Sequence, residues 1–560
     1  MIRSKFFSIA ALLLISHSFL NAQSFEWGGR FGGIGEDVVR DICTDASGNV
    51  YTTGYFTDVA DLDASSSEHL LTSTGFFDIF IQKTNPDGTF NWAQGFGSAG
   101  FEYGTGVFAD AEGYVYVTGV FEGSFDADPG SEAYTLTSHG AQDIFVLKLS
   151  QDGSFVWAAD LGSADYDEST AIASDAEGNV YISGYFNGVA DFDPGSGVAN
   201  FTAEGANDNF LVKLDEAGDF VWAKQYGSAG FEAALDMTVA ENKILVTGFF
   251  EGTVDFDPNA GEELLSSVSG NSTSAFVLIL DTAGVFQNAA IIGGNGNVTA
   301  YDIESDGDAI YVTGTFAGTA DFNPGTEEVP MTSEGFENGF VLKLNSQAAF
   351  LWVRTFNSAE SVISYSVTTD DTGNVYASGY FENTADFNPG TQVFSLSPAP
   401  ENAMGAYLVK LKANGDFVNA WSFGGVNFSD YHGVAADQQG NVFISGAYET
   451  TVDINPFPTD SNIFISEGFR DNYLVKLNGS MAGIKSSVEN LFVFPNPAES
   501  TICIQQKQPD LAFSMFDVTG KIVVDGNLRT GENQISISHI NPGIYLLRIG
   551  AVTTKIIISR

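Results

Sequence analysis

One period of about 65 residues runs through most of this 560-residue chain, and it limits the possible folds more than any other feature. Trp27, Trp92, Trp157 and Trp222 follow one another at steps of 65 residues; Phe286 or Gln287 takes the next place, and Trp352 and Trp421 continue the series. A second marker runs in phase with the first. It is Asp-x-Asp or Asp-x-Asn, at Asp61/Asp63, Asp126/Asp128, Asp191/Asp193, Asp255/Asp257, Asp321/Asn323, Asp386/Asn388 and Asp453/Asn455, seven copies in all.

The third copy shows the content of one unit: Phe155-Val-Trp-Ala, Thr170-Ala-Ile-Ala-Ser, Asn179-Val-Tyr-Ile-Ser-Gly-Tyr-Phe and Asn209-Phe-Leu-Val-Lys-Leu. Each run is short, β-branched or aromatic, and bounded by turn residues, which predicts four strands per unit. Asp175-Ala-Glu-Gly178 and Asp215-Glu-Ala-Gly218 read as hairpin turns, Asp bonding the local backbone and Gly taking positive φ. Four-stranded units cannot bury an apolar face singly, so they must stack, and radial closure protects their edges. The predicted fold is all-β, a seven-bladed β-propeller with four-stranded blades. Phe25-Glu-Trp27 begins with the strand that elsewhere follows Leu-Val-Lys-Leu, and the last unit stops at Leu474-Val-Lys-Leu477 without it. The N-terminal strand is therefore expected to complete the last blade.

Gly48-Asn-Val-Tyr-Thr-Thr-Gly54, Gly178-Asn-Val-Tyr-Ile-Ser-Gly184, Gly373-Asn-Val-Tyr-Ala-Ser-Gly379 and Gly440-Asn-Val-Phe-Ile-Ser-Gly446 resemble the SBBP repeat of seven-bladed propellers. The resemblance covers residues 25 to 478 and implies architecture, because that family has no shared catalytic set. Asn242-Lys-Ile-Leu and Asp308-Ala-Ile-Tyr depart from the pattern in the fourth and fifth units.

The C-terminal part has a different charge balance. Acidic residues outnumber basic ones 71 to 22 in the chain, yet Glu489 to Arg560 holds six of each, so the excess belongs to the repeats. Short strands at Leu491, Thr501, Phe513, Ile535, Ile544 and Lys555, separated by Pro- and Gly-containing turns, predict a small β-sandwich. Pro495-Asn-Pro497, Asp517-Val-Thr-Gly-Lys521, Asn541-Pro-Gly-Ile-Tyr-Leu-Leu-Arg548 and a Lys-containing apolar last strand resemble the C-terminal sorting domain of type IX secretion, of the Por type. That resemblance implies a Gram-negative host, handling by the type IX machinery, and delivery to the outer-membrane surface or the medium.

Arg3 and Lys5, the apolar run Phe6 to Ile15 and the small-residue exit at Asn21-Ala22 have the layout of a secretory signal peptide. No later stretch reaches the roughly 18 apolar residues of a transmembrane helix. The expected organisation is a signal peptide at 1–22, the propeller at 23–483, a linker at 484–488 and the sorting domain at 489–560.

A net charge of −49 excludes nucleic acid as a partner and favours cations and basic surfaces. Alternate residues of an extended segment share a face, so Asp61 and Asp63, Asp126 and Asp128, Asp191 and Asp193, and Asp255 and Asp257 are candidate calcium ligands. Against this, Asn replaces the second Asp in three copies and serves an Asx-turn equally well, so a turn is the preferred reading. The recurring Lys83, Lys148, Lys213, Lys343, Lys410 and Lys476, with Ile279 in the remaining unit, reads as a solvated stripe, and the tryptophans as packing between blades. His17, His69, His139, His432 and His539 lack metal-ligand spacing, and Cys43 and Cys503 offer no disulfide framework. No catalytic residue and no cofactor is assigned. The functional expectation is a non-enzymatic surface or secreted module for a glycan or protein; the alternative is a hydrolase or lyase of extracellular polysaccharide using acids from different blades around the central channel.

Overall fold

The computed structural model describes residues 23–65, 67–269, 272–398, 404–457 and 461–479, with backbone only for 425–432. Of the C-terminal part it describes 492–494, 501–506, 511–516, 521–529, 531–538, 540–549 and 552–558. The signal peptide, the 484–488 linker and the Pro495-Asn-Pro497 motif lie outside the described residues. Contacts divide the chain into Gln23–Gly479 and a C-terminal unit.

Every named element is a β-strand. Among the described residues of Gln23–Gly479 the strands pair into seven four-stranded antiparallel units. The first consists of Val38–Thr44, Val50–Phe56, Asp78–Thr84 and Phe90–Phe96. The sixth and seventh share one long strand, Phe417–Ala436, whose first part pairs within the sixth and whose last part opens the seventh. The seventh is completed from the other end of the chain, where Ser24–Gly33 runs antiparallel to Asp471–Asn478 with Ser24 opposite Asn478 and Phe31 opposite Asn472. The first strands of successive units touch one another in a closed cycle, the seventh returning to the first.

The repeated Asn-Val-Tyr text holds the turn between first and second strands. In the first unit Asp45 accepts from the backbone N–H of Ser47 and Asn49, from the Asn49 amide at 2.7 Å and from the Tyr51 hydroxyl at 3.0 Å. The buried tyrosine thus anchors its own turn, and its ring fills the seam to the next sheet.

Between second and third strands each of the first six units carries an extra two-stranded hairpin of two- or three-residue strands, such as Val59–Asp61 with Leu70–Thr72; in the seventh the end of the long second strand, Val442–Asp453, pairs with Ile463–Ile465 instead. The Asp-x-Asp motif sits here. In the first, third, fifth, sixth and seventh units it also pairs with the end of the preceding sheet's fourth strand, Asp61 opposite Gly32 and Asp321 opposite Gly293, and so laces adjacent units together. Strands this short leave no alternating pattern to read, which is why the sequence shows four strands and not six.

The lysine stripe is a correction to the sequence reading. Lys83, Lys148, Lys410 and Lys476 are buried, not solvated. The Lys83 ammonium lies 5.0 Å from the Tyr51 ring centre and donates to the Gln151 carbonyl at 3.1 Å, in a turn of the next sheet. Lys148 bonds Glu216 O, Lys213 bonds Thr282 O, Lys343 bonds Ala413 O and Lys476 bonds Pro86 O in the same manner. The tryptophan on the adjacent strand shares that acceptor: the Nε1 of Trp92, Trp157, Trp352 and Trp27 donates to the same four carbonyls of Gln151, Glu216, Ala413 and Pro86, each at 3.1 Å. A buried ammonium needs such a partner, and the neighbouring turn supplies it. The turn is shaped to receive the indole, since a Cβ on Gly153 (φ +80°) would lie 2.9 Å from the Trp92 ring.

Pairing also re-phases the tryptophan marker. Opposite Ile279, where the others carry tryptophan, stands Asn288, whose amide donates to Gln347 O at 2.7 Å; neither Phe286 nor Gln287 holds the place. Lys243 on the neighbouring strand replaces the missing lysine and reaches Ser346 O at 2.7 Å. In the sixth unit Lys410 pairs with Asn419, and Trp421 lies two residues further on.

The C-terminal unit has a three-stranded sheet, Phe492–Phe494, Thr501–Gln506 and Gly531–Ser536, and a four-stranded one, Ile522–Leu528, Leu511–Phe516, Gly543–Ile549 and Val552–Ile558. Ile502, Ile504 and Ile535 of the first share a core with Phe513, Met515, Leu547 and Ile549 of the second. The strand Ile522–Leu528 escaped the sequence reading because Asp525-Gly526 inside it looks like a turn.

Candidate functional site

The first strand of each of the first six units carries a β-bulge, where the register skips one residue: Arg40, Thr105, Thr170, Leu235, Tyr301 and Tyr365. A bulge re-aims a side chain without breaking the sheet. All six bulged residues line one cavity of about 430 Å³, together with Asp41, Asp236, Asp302, Ser366 and Gly433. These residues come from the first strands of all seven units, so the cavity lies on the axis of their cycle.

Positions that build the fold repeat, whereas the bulge positions do not. One side of the cavity is charged: the Arg40 guanidinium lies 4.1 Å from the Tyr103 ring centre and 4.0 Å from Glu168, which accepts from Tyr185 at 2.5 Å. Across the axis, the rings of Tyr301 and Tyr365 pack with centres 4.9 Å apart. This singular cluster was not legible in the sequence, which suggested uniform repeats without odd polar residues. Each of its members is one ordinary substitution within a 65-residue period.

Three aspartates line the same cavity. Asp41 accepts from the backbone of Val107 at 2.7 Å, Asp236 from Ile303 at 2.9 Å and Asp302 from Val367 at 2.8 Å, each bond crossing to the next sheet. Asp236 and Asp302 are close enough for their carboxyl groups to be coupled, the charge of one opposing ionisation of the other. All three touch the cavity, but protein mass around it removes bulk water. Burial is the largest cause of their shifts: it pushes Asp41 up to about 7 and raises Asp236 and Asp302, the charge of Asp302 adding to the shift of Asp236.

A second electrostatic feature recurs at four seams, where the first residue of a third strand meets the residue opening the next first strand. The pairs are Asp78 with Glu102, Asp143 with Asp167, Asp208 with Glu232, and Asp471 with Asp37, and all eight side chains are buried. Gly162 leaves the room for one pair: a Cβ there would lie 2.5 Å from Asp143 Oδ1 and 3.0 Å from Asp167 Oδ2. Burial, reinforced by the partner carboxylate, pushes Asp37 up to about 8, Asp167 to about 6 and Glu232 to about 7. The next two seams carry Ser274 with Val298 and Asn338 with Val362 instead.

The Asp-x-Asp residues lie in the peripheral hairpins, away from the axis. In all seven copies the first Asp accepts from the backbone N–H two residues on and again from a residue eight or nine on; for Asp191 these are Asp193 at 3.1 Å and Ala199 at 2.8 Å. The second residue repeats the device, Asp63 to Ser65, Asp128 to Gly130, Asp193 to Gly195 and Asp257 to Asn259. Among the described residues no three His, Cys, Asp or Glu side chains form a metal-holding group.

Large apolar side chains stand exposed at the end where the first strands begin. Phe101, Tyr166 and Phe231 occupy links between sheets, and Phe76, Phe336 and Phe469 precede third strands. Phe76 and Phe101 stack at 4.9 Å and wall a second hollow beside Glu122.

Residues 492–559 match the secretion system C-terminal sorting domain. This places the chain among proteins handled by the type IX machinery and sent to the cell surface or the extracellular space. The chain is similar to an uncharacterised WD repeat-containing protein of Acanthamoeba polyphaga mimivirus, 24% identical over 242 residues, which is 39% of this chain and 17% of that one. It is also similar to the regulatory protein FlaEY of Caulobacter vibrioides, 24% identical over 127 residues, 22% and 13% of the two chains. The chain thus spans less than a fifth of the length of either relative. Among solved structures, the subtype N10 neuraminidase-like protein of A/little yellow-shouldered bat/Guatemala/060/2010 aligns over 80% of this chain and 98% of its own, at 9% identity and a TM-score of 0.29. PorZ, a surface component of the type IX secretion system of Porphyromonas gingivalis, aligns over 95% and 100%, at 12% identity and a TM-score of 0.17. Among the described residues no helix is long and apolar enough to cross a membrane.

Proposed function

We propose that the chain is an exported seven-bladed β-propeller of the SBBP kind with a C-terminal β-sandwich, displayed at the outer-membrane surface or released, and that it binds a glycan or protein without transforming it. The observation that carries this reading is the contrast between repeated and singular positions. The lysines, tryptophans and Asp-x-Asp clamps recur around the ring, while the bulges facing the axis carry Arg, Thr, Thr, Leu, Tyr and Tyr. Side chains that differ where the fold does not need them to are the signature of a site grafted on a scaffold.

The neighbouring Asp236 and Asp302 in the cavity wall, both raised by burial, favour a second reading, hydrolysis or lysis of a polysaccharide with the pair as acid and base. One assay separates the two. The secreted protein is incubated with insoluble polysaccharides; co-sedimentation without new reducing ends or unsaturated products supports the binding module, and product release that Asp236→Asn abolishes replaces it with the enzyme.

Calcium has no part in this reading, because Asp61, Asp63, Asp126, Asp128, Asp191, Asp193, Asp255 and Asp257 serve as turn clamps. Titrating calcium into the chelator-treated protein is expected to give neither saturable heat nor a shift in melting temperature. Asp191→Ala is expected to cost about 2 kcal/mol, from two lost hydrogen bonds to a charged acceptor. A large calcium-dependent rise in melting temperature would overturn the assignment.

A further inference from the structure

We infer that the axial cavity takes an uncharged sugar residue, the end of a neutral glycan; this rests on the binding-module reading and narrows it. At about 430 Å³ the cavity falls in the range of small-ligand sites, roughly 300–1,000 Å³, and has no room for a folded partner. Its two sides differ as the two aspects of a pyranose do. The Tyr301 and Tyr365 rings, 4.9 Å apart, offer an aromatic platform for the apolar C–H face. On the other side stand the donor Arg40 and the acceptor Glu168, joined by Thr105, Thr170 and Ser366, whose hydroxyls both give and receive. Sugar hydroxyls likewise do both.

Charge decides against the acidic sugars. Asp41, Asp236, Asp302 and Glu168 face the single cation Arg40, which already lies 4.0 Å from Glu168. A uronate or a phosphorylated sugar would bring a further anion into this carboxylate-rich, poorly hydrated space, a like-charge contact of the kind that rejects ligands. A neutral hydroxyl meets no such penalty, and the Asp41, Asp236 and Asp302 carboxyl oxygens can accept from it.

The test is calorimetric titration of the secreted protein with methyl glycosides of glucose, galactose and mannose and with glucuronic and galacturonic acids. Saturable binding of a neutral glycoside is expected, at least about tenfold tighter than that of its uronic counterpart. Tyr365→Ala, at an unchanged melting temperature, is expected to weaken it at least about tenfold, whereas Phe76→Ala, in the outer hollow, leaves it intact. Equal or tighter binding of the uronate overturns the inference. Loss with Phe76→Ala but not with Tyr365→Ala or Tyr301→Ala overturns it while the binding-module reading stands, as does capture of a protein ligand by a chain that binds no neutral sugar.

Discussion

Deleting Ser24–Phe31 is expected to abolish the cooperative thermal transition of Gln23–Gly479 and to leave the chain sensitive to limited proteolysis. The segment is the fourth strand of the seventh sheet, and its removal strips the Asp471–Asn478 edge of its backbone partners. It also removes Phe31, which is 1% exposed, and the Trp27 ring packed on Phe443. Asp471, fully buried, loses the Arg30 guanidinium 2.7 Å away and stays as an unpaired charge. Finally, of the two hydrogen bonds by which Trp27 and Lys476 share the Pro86 carbonyl of the first unit, the indole's is lost. The sum exceeds the roughly 5–15 kcal/mol that stabilises a typical domain. Trp27→Ala alone is expected to cost about 3–5 kcal/mol by the cavity it leaves. Restoration of the transition by a synthetic Ser24–Gly33 peptide would tie the loss to this strand; an unchanged melting curve in the deletion would refute the closure.

The second large effect is a melting temperature that falls as pH rises from 5 to 8.5, the reverse of ordinary acid denaturation. The buried pairs hold folded-state values above the unfolded ones, with Asp167 at about 6, Glu232 at about 7 and Asp37 at about 8. Between those limits the native state binds more protons than the unfolded chain, so stability is complete below the unfolded values near 4 and declines through 8. One unit of upward shift is worth about 1.4 kcal/mol, and the three groups titrate about six units in all above pH 5, which puts the combined loss on the order of 8 kcal/mol. General repulsion at a net charge of −49 acts in the same direction, but about 1 M salt shortens the screening length to about 3 Å and removes it while leaving the buried pairs untouched. The slope is therefore expected to persist in salt and to flatten at its upper end in Asp37→Asn. A profile flat in salt would show that the pairs are ionised at little cost.

The sequence exposes whatever the ring uses seven times. The Trp period, the Asn-Val-Tyr turns and the missing fourth strand of the last unit appear in the text because each serves a contact that every sheet must make with the next. The same regularity misleads where one contact can be made by different residues. Lys243 replaces a lysine absent from Ile279, and Asn288 replaces an indole, each delivering a hydrogen to a turn carbonyl from a neighbouring place. Periodicity also hid the burial of the lysines, since alternation tells which face a side chain occupies but not that the next sheet covers that face. The axial cluster was invisible for another reason: Arg40, Glu168, Asp236 and Tyr365 lie in different units, and nothing in a linear chain announces that they meet.

The closing pair joins Ser24 to Asn478, nearly the whole repeat region apart. For a chain that emerges amino end first, the first strand to appear is the last to find its partner. Contacts of such sequence separation form slowly, although the entropic cost of a longer loop grows only logarithmically. Six sheets can form from local hairpins while the seventh waits, its edge open, until residue 478 has arrived. The ring is thus a device that reports its own completion: a truncated chain lacking Asp471–Asn478 leaves Ser24–Phe31 without the strand opposite it, an open edge that marks unfinished synthesis.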